Sequence, residues 1–383
     1  MPTTDRRYVP HFSYTHQMVA HLMAIEGARR VVDVLPLPPD SAFLLRFEAL
    51  RRSTHFSTSI EGNQLSLDEV REGIAQADRS GSRQDQEVRD YWTALEWLEQ
   101  QVEARALLDE QFIRRLHRII IVRGRGRRGE ISEYRERECP VVDSATGQID
   151  YAPPAPADVP GLMASLVAWR NSKDAAALPA PIRAGILGYQ FVTIHPFGDG
   201  NGRTARALAT AELWFAGYGM RGFLSLEEHY YRDLQRYYDS LQMGLDPDYY
   251  RGRSDPDLTP WLEYFSETMA AAASDVERRA EQLREFEDHP AAPWEQLPRR
   301  QQQLLCRLVI EHPEAGQAPT FSPADVARWF MIGPSAARKW TMAWHAAGFI
   351  EPASGERRIR SWRLADTHAG LIEVVRNALV RIE

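Results

Sequence analysis

The chain has only two cysteines, Cys139 and Cys306. They are too few and too far apart for a disulfide framework or a zinc site, so a reducing cytoplasm is the expected home. No uninterrupted apolar run reaches the roughly 20 residues that a membrane span needs, and no membrane partner is expected. The N-terminus, MPTTDRRYVPHF, shows no apolar region behind a basic start, so a secretory leader is not expected. Internal repeats and low-complexity tracts are also missing. Positive charge is not in excess: 46 Lys and Arg stand against 53 Asp and Glu, a formal net charge of −7. That balance argues against a protein that coats nucleic acid with its whole surface, while leaving room for a local basic patch.

What the sequence does have is helix-forming text. With 383 residues, 44% hydrophobic and 26% charged, it fits a globular chain of two or three domains. Apolar residues at spacings of three and four predict helices over 14–34, 42–59, 87–103, 109–122, 159–169, 184–194, 207–216, 227–243, 260–284 and 371–382. The run Leu35-Pro-Leu-Pro-Pro39 breaks the first of these, with Asp40 or Ser41 as the cap of the second. Ser66 and Glu69 form a capping-box pattern for a further helix over 67–77. Segments 140–143 and 148–151 flank a Ser-Ala-Thr-Gly turn and read as a β-hairpin. The basic stretch RGRGRR, 123–128, reads as a solvated loop.

One stretch carries most of the chemistry. His195 to Arg206 reads H-P-F-G-D-G-N-G-R-T-A-R and lies between two apolar helices. Its glycines let backbone N–H groups come close to a ligand, and the helix that starts just after them directs its positive dipole end to the same place, which suits phosphate. Arg203 and Arg206 are one turn apart and can both reach a polyphosphate. Asp199 can hold a hard cation through oxygen, and His195 can take a proton near neutral pH.

These twelve residues fill every specified position of the HxFx(D/E)GNGRxxR motif, and on that basis the chain resembles the Fic family, whose best-known activity is transfer of AMP from ATP to protein hydroxyls. The resemblance implies a mainly α fold: a Fic helical core with a β-hairpin flap (about 138–152), plus a C-terminal winged helix-turn-helix domain. It implies His195 as general base, Asp199 as the Mg²⁺ ligand, and Gly200, Asn201, Gly202, Arg203 and Arg206 as the phosphate site. The Asn201 side chain is expected to add a contact of its own. Tyr237 and Tyr238 would line the nucleotide pocket. The flap would align an extended segment of a target protein that presents a hydroxyl. Segment 132–135, Ser-Glu-Tyr-Arg, stands where related proteins often have Gly-x-(Phe/Tyr)-Arg, and it departs from that pattern at Ser132.

A second motif, Ser57-x-x-x-Glu61-Gly62, is similar to the family's (S/T)xxxE(G/N) inhibitory motif. By that resemblance Glu61 would pair with Arg206 in place of the ATP γ-phosphate, and Ser57 would fix the helix that carries it. The expected domains are 1–105, a helical region with the inhibitory motif; 106–285, the catalytic core; and 286–383, the winged helix and a last helix. Residues 321–365 hold seven Lys or Arg against three Asp or Glu, a local +4. Arg338 and Lys339 on the second helix, with Arg357, Arg358 and Arg360 in the wing, are the candidate DNA contacts. Protein contact through the same module remains an equal reading. The expected activity is protein adenylyl transfer, on a target and on the chain itself. A DNA-binding regulator with a nucleotide-sensing core and a hydrolase that removes AMP are the alternatives. UMP or GMP as the transferred group also stays open, and a homodimer is a family expectation.

Overall fold

Helical periodicity dominates the sequence, and helices dominate the structure. A computed structural model describes residues 7–37, 39–67, 69–70, 82–121, 131–142, 146–284, 297–311, 319–330, 332–353, 359 and 361–380. The N-terminal helices are α1 (His16–Val34), α2 (Pro39–Ile60), α3 (Arg83–Glu103) and α4 (Glu110–Ile121). Thr15 caps α1 by accepting from Met18 N, and Ser82 with Asp85 forms a reciprocal capping box on α3. Because α2 begins at Pro39, the expected caps Asp40 and Ser41 lie inside its first turn, where a proline's missing N–H costs nothing. The RGRGRR loop and most of the expected helix over 67–77 fall outside the described residues.

The hairpin forms as read. Strands β1 (Val141–Val142) and β2 (Ile149–Tyr151) pair antiparallel, with a register shift between Val141 and Val142. Residues 143–145 of its turn lie outside the description. Helix α5 (Val159–Arg170) leads to α6 (Ala180–Ile194) and α7 (Asn201–Phe215), which pack on each other. Both are buried around nearly their whole circumference, so the motif between them is held by the middle of the core.

The expected single helix over 227–243 is two helices, α8 (Glu227–Arg232) and α9 (Leu234–Gln242). Asp233 leaves helical geometry at φ −137°, and its side chain caps α9 by accepting from Arg236 N. Helix α10 (Thr259–Arg284) lies along α1, and α2 is clasped between α8 and α3.

The C-terminal part runs α11 (Arg299–Glu311), β3 (Thr320–Phe321), α12 (Pro323–Trp329), α13 (Pro334–Ala346), β4 (Ile350–Pro352), β5 (Trp362–Leu364) and α14 (Asp366–Val380). The two expected strands pair antiparallel, and a third, β3, joins them in the order β3-β5-β4. Helix α14 packs on α11 and on α2, while Arg307 of α11 pairs with Glu96 of α3. No helix among the described residues is long and apolar enough to cross a membrane.

Candidate active site

The backbone that joins α6 to α7 sets the site. His195 closes α6 in the left-handed region, φ 50°, and its N–H still donates to Phe191 O at 3.0 Å. For a side chain larger than glycine that conformation is strained, and it turns the imidazole out of the helix line. Nδ1 lies 3.2 Å from Val192 O. A carbonyl only accepts, so Nδ1 carries the hydrogen and Nε2 is left as the basic edge. Burial, opposed by the bond to Val192, holds the His195 pKa below the ordinary histidine value. Arg135 fixes the loop from the other side: its Nε donates to His195 O at 2.8 Å, and its backbone N to Pro196 O at 2.9 Å. Its Nη2 also donates to Pro154 O, so it ties the motif to the chain leaving the hairpin.

Gly200, at φ +75°, is the N-cap of α7. A Cβ there would come within 2.7 Å of Ile121, so both backbone angle and space demand glycine. The first amides of α7, at Asn201, Gly202 and Arg203, are those a helix leaves without internal partners. Asp199 stands beside them with its side chain 54% exposed; its Oδ1 accepts from Gly200 N at 2.7 Å and lies 3.4 Å from Arg203 Nη2. This is one accessible hard carboxylate next to an anion-binding helix end, which fits a Mg²⁺ whose other ligands are phosphate oxygens and water. No group of three acidic, His or Cys side chains that could hold a metal on its own occurs among the described residues.

The structure gives Asn201 a different task from the expected phosphate contact. Its side chain is buried, Oδ1 accepts from Phe197 N at 2.9 Å, and Nδ2 donates to Phe197 O at 2.7 Å. Each end of the amide thus makes one bond that closes the loop, and the Asn201 backbone N–H, at the start of α7, is a group it can offer to an anion. Arg203 is buried too, and its Nε has no partner among the described residues, an orphaned donor that an anion would satisfy.

Arg206 is where the two motifs meet. Its Nε donates to Ser57 Oγ at 2.9 Å, and its Nη2 donates to Ser57 O at 2.8 Å and to Glu61 Oε1 at 2.9 Å. Ser57 is fully buried, and α2 ends at Ile60 in a turn where Gly62 takes φ +90°. Glu61 reaches over Gly202: a Cβ on Gly202 would lie 2.3 Å from its carboxylate oxygen. The helix that leads into the Glu61 turn is fastened to its neighbours. Ser53 Oγ donates to the buried Glu227, and Arg52 pairs with Glu228 at 3.0 Å.

The two tyrosines separate. Tyr238 is 39% exposed and donates to Ile60 O at 3.1 Å, beside the Glu61 turn. Tyr237 is buried, stacked on Tyr230 at 4.7 Å, and its side chain meets Arg206, the partner of Glu61. On the flap, Val141, Val142 and Ile149 are exposed, whereas Tyr151 is buried and its hydroxyl donates to Thr193 O. Arg338 and Lys339 are both exposed on α13, far along the chain from these residues; Arg357, Arg358 and Arg360 lie outside the described residues.

Sequence reasoning missed His117, on α4. It is buried, stacks on Phe197 at 3.6 Å, and its Nε2 lies 2.7 Å from Asp199 O. Burial drives its pKa down to about 4, against partial support from the Asp199 carbonyl. The signal was a polar residue on the buried stripe of an amphipathic helix, among Ile113, Leu116 and Ile120.

Comparison with known proteins gives a consistent picture. Residues 107–213 match the model of the Fic/DOC family, so the chain carries a Fic/DOC domain there. A protein adenylyltransferase Fic of Aedes aegypti is 38% identical over 98 residues, 26% of this chain and 18% of that protein. One from Drosophila virilis is 29% identical over 174 residues, 45% of this chain and 34% of that protein. The chain thus spans about a third or less of the length of these curated relatives. A Fic family protein from Desulfovibrio desulfuricans has a crystal structure that superposes with a TM-score of 0.58 at 22% identity, covering 94% of this chain and 99% of that one. At that identity the likeness shows the fold.

Proposed function

We propose that this chain is a protein adenylyltransferase that transfers AMP from ATP to a Ser, Thr or Tyr hydroxyl and is held in check by Glu61. One observation carries the reading. Glu61 stands over Gly202 at the start of α7 and pairs with the buried Arg206, so a carboxylate already sits at the helix end that suits a phosphate.

Nε2 of His195 takes the proton of the target hydroxyl as its oxygen forms a bond to the α-phosphorus, and the bond from that phosphorus to the bridging oxygen of the pyrophosphate breaks. The amides of Asn201, Gly202 and Arg203 and the guanidinium of Arg203 face the charge that builds up on the phosphate oxygens. Asp199 is the residue that would hold Mg²⁺, which offsets charge on the departing pyrophosphate. Arg206 would bind the γ-phosphate once Glu61 leaves it. The exposed β1 edge would align the target backbone, and the exposed Val141, Val142 and Ile149 would meet its side chains.

The C-terminal order of helix, strand, two helices and two strands supports a winged helix-turn-helix. The exposed Arg338 and Lys339 on its second helix favour DNA as its partner. The expected division at 1–105, 106–285 and 286–383, and a homodimer, are part of the same proposal.

Intact-mass measurement of Glu61→Gly after incubation with Mg²⁺ and ATP tests the reading. A gain of one adenylyl group per modified site supports it, and a preference for UTP or GTP would name another nucleotidyl group. An unchanged mass with all three, in a protein that still binds ATP, would overturn it.

A further inference from the structure

The loop between Phe197 and Gly200 is held from outside the motif, and the fastening passes through the one position where this chain leaves the related Gly-x-(Phe/Tyr)-Arg pattern. His117 Nε2 lies 2.7 Å from the carbonyl oxygen of Asp199, and His117 Nδ1 lies 2.6 Å from Ser132 Oγ. The Asp199 carbonyl can only accept, so Nε2 must donate. In the neutral ring Nδ1 then has a lone pair and no hydrogen, so it accepts the hydrogen of the Ser132 hydroxyl. Ser132 is itself pinned to the helix that carries His117: its N donates to Arg114 O at 3.1 Å, and its O accepts from Arg114 Nε at 2.6 Å. The His117 ring also lies nearly parallel to Phe197, 13° between planes.

We propose that His117 is a positioning residue for the anion-binding loop, in the tautomer that the Asp199 carbonyl sets, and that Ser132 holds the ring in place by donating to its other nitrogen. This rests on reading 199–203 as the phosphate site. A hydrogen bond to the Asp199 carbonyl fixes the peptide that joins Asp199 to Gly200, and so sets the turn from which the α7 amides project. The bond uses the Asp199 carbonyl and not its carboxylate, whose Oδ1 accepts from Gly200 N. The face-to-face stack on Phe197 fixes the other end of the same loop, and Asn201 closes it from within. Glycine at position 132 would leave Nδ1 without this donor in a buried place, and the ring would be held by the Asp199 carbonyl and the stack on Phe197 alone.

Two substitutions separate the parts. His117→Phe keeps a flat ring against Phe197 but has no donor for the Asp199 carbonyl. His117→Gln loses the ring but can place an amide N–H near the Nε2 position. In the Glu61→Gly background, kcat for adenylyl transfer is expected to fall about ten- to a hundred-fold in His117→Phe, with KM for ATP changing much less, since a shift of about an ångström in a catalytic group costs on that order. His117→Gln should recover a large part of the loss. Ser132→Ala should lower kcat several-fold, and Ser132→Thr, which keeps the hydroxyl, should recover it.

Nitrogen-15 NMR of the imidazole in the wild type gives a reading independent of activity: His117 is expected as the Nε2–H tautomer, with an Nδ1 signal shifted by the Ser132 hydrogen bond, a shift that Ser132→Ala should remove. A wild-type Nδ1–H tautomer would overturn the proposal. So would a His117→Phe variant that folds, binds ATP and transfers at the rate of its parent, or one that His117→Gln does not surpass. If no variant or parent transfers AMP at all, the adenylyltransferase reading fails instead, and the tautomer, with ATP affinity in the same variants, still decides the positioning role.

Discussion

Glu61→Gly should tighten binding of Mg²⁺-ATP, and the geometry sets how much. Glu61 and the γ-phosphate compete for the same guanidinium edge, Arg206 Nη2, which the carboxylate meets at 2.9 Å. A hydrogen bond between charged groups is worth about 1.5–3 kcal/mol. Arg206 is nearly buried at 4% side-chain exposure, but Glu61 is 32% exposed, so screening by water places the pair toward the lower end. Relief of about 1.5–2 kcal/mol corresponds to about a ten- to thirty-fold fall in the ATP dissociation constant. The fold itself should lose little, because Arg206 keeps both bonds to Ser57. Isothermal titration of wild type and Glu61→Gly with ATP and Mg²⁺ measures the change, and thermal unfolding without nucleotide checks the fold. An unchanged or weaker affinity in a folded Glu61→Gly protein would refute the competition between carboxylate and phosphate.

Other expectations follow from neighbouring contacts. Tyr238→Phe removes the hydroxyl that donates to Ile60 O, worth about 1 kcal/mol, so self-labelling should rise up to about five-fold; labelling equal to or below wild type would count against Tyr238 as a brace of the Glu61 turn. The lowered pKa of His195 keeps Nε2 basic to lower pH, so the acid limb of kcat/KM in Glu61→Gly should fall below 6.5, the ordinary histidine value. A limb at or above 6.5 would contradict the buried base. His117 binds its proton at about 4 in the folded chain and near 6.5 once unfolded. The unfolded state therefore takes up the proton first as pH falls, and the stability from keeping His117 neutral is complete above 6.5 and lost on the way down to 4. At about 1.4 kcal/mol per pH unit that is about 3 kcal/mol, so urea unfolding at pH 7.5 and 4.5 should show a much larger drop in wild type than in His117→Gln. Equal drops would remove His117 from the account. Arg338→Ala with Lys339→Ala should weaken DNA binding and flatten its salt dependence, whereas unchanged affinity would turn the winged module toward protein partners.

How far the sequence could be read depended on whether a residue's role was set by its neighbours in the chain. His195, Asp199 and Gly200 are placed by a helix end, a turn and a helix start that are consecutive, so their grouping was legible. Glu61 needed 145 residues of separation to close on Arg206, and only the resemblance to a known motif made that visible. The part Asn201 plays inside the loop was not legible, because a side-chain amide can serve a ligand or its own loop equally well, and its bonds to Phe197 show only in the fold. The helix over 227–243 looked continuous because apolar spacing persists across Asp233, although an Asp three residues before Arg236 was a cap signal. Strand β3 has two residues, too short for any alternation to show. His117 shows in the sequence only as a polar residue on the apolar stripe of α4, and its contacts with Ser132, Phe197 and residue 199 appear only in the fold.

The measurement that bears most directly on the central claim is incorporation of α-labelled ATP, with Mg²⁺, into the chain and into a cell lysate by wild type, Glu61→Gly and Glu61→Gly with His195→Ala. Strong label from Glu61→Gly, faint label from wild type and none from the double variant are expected. No label from any of the three while ATP remains bound would contradict adenylyl transfer, and label that survives His195→Ala would contradict His195 as its base.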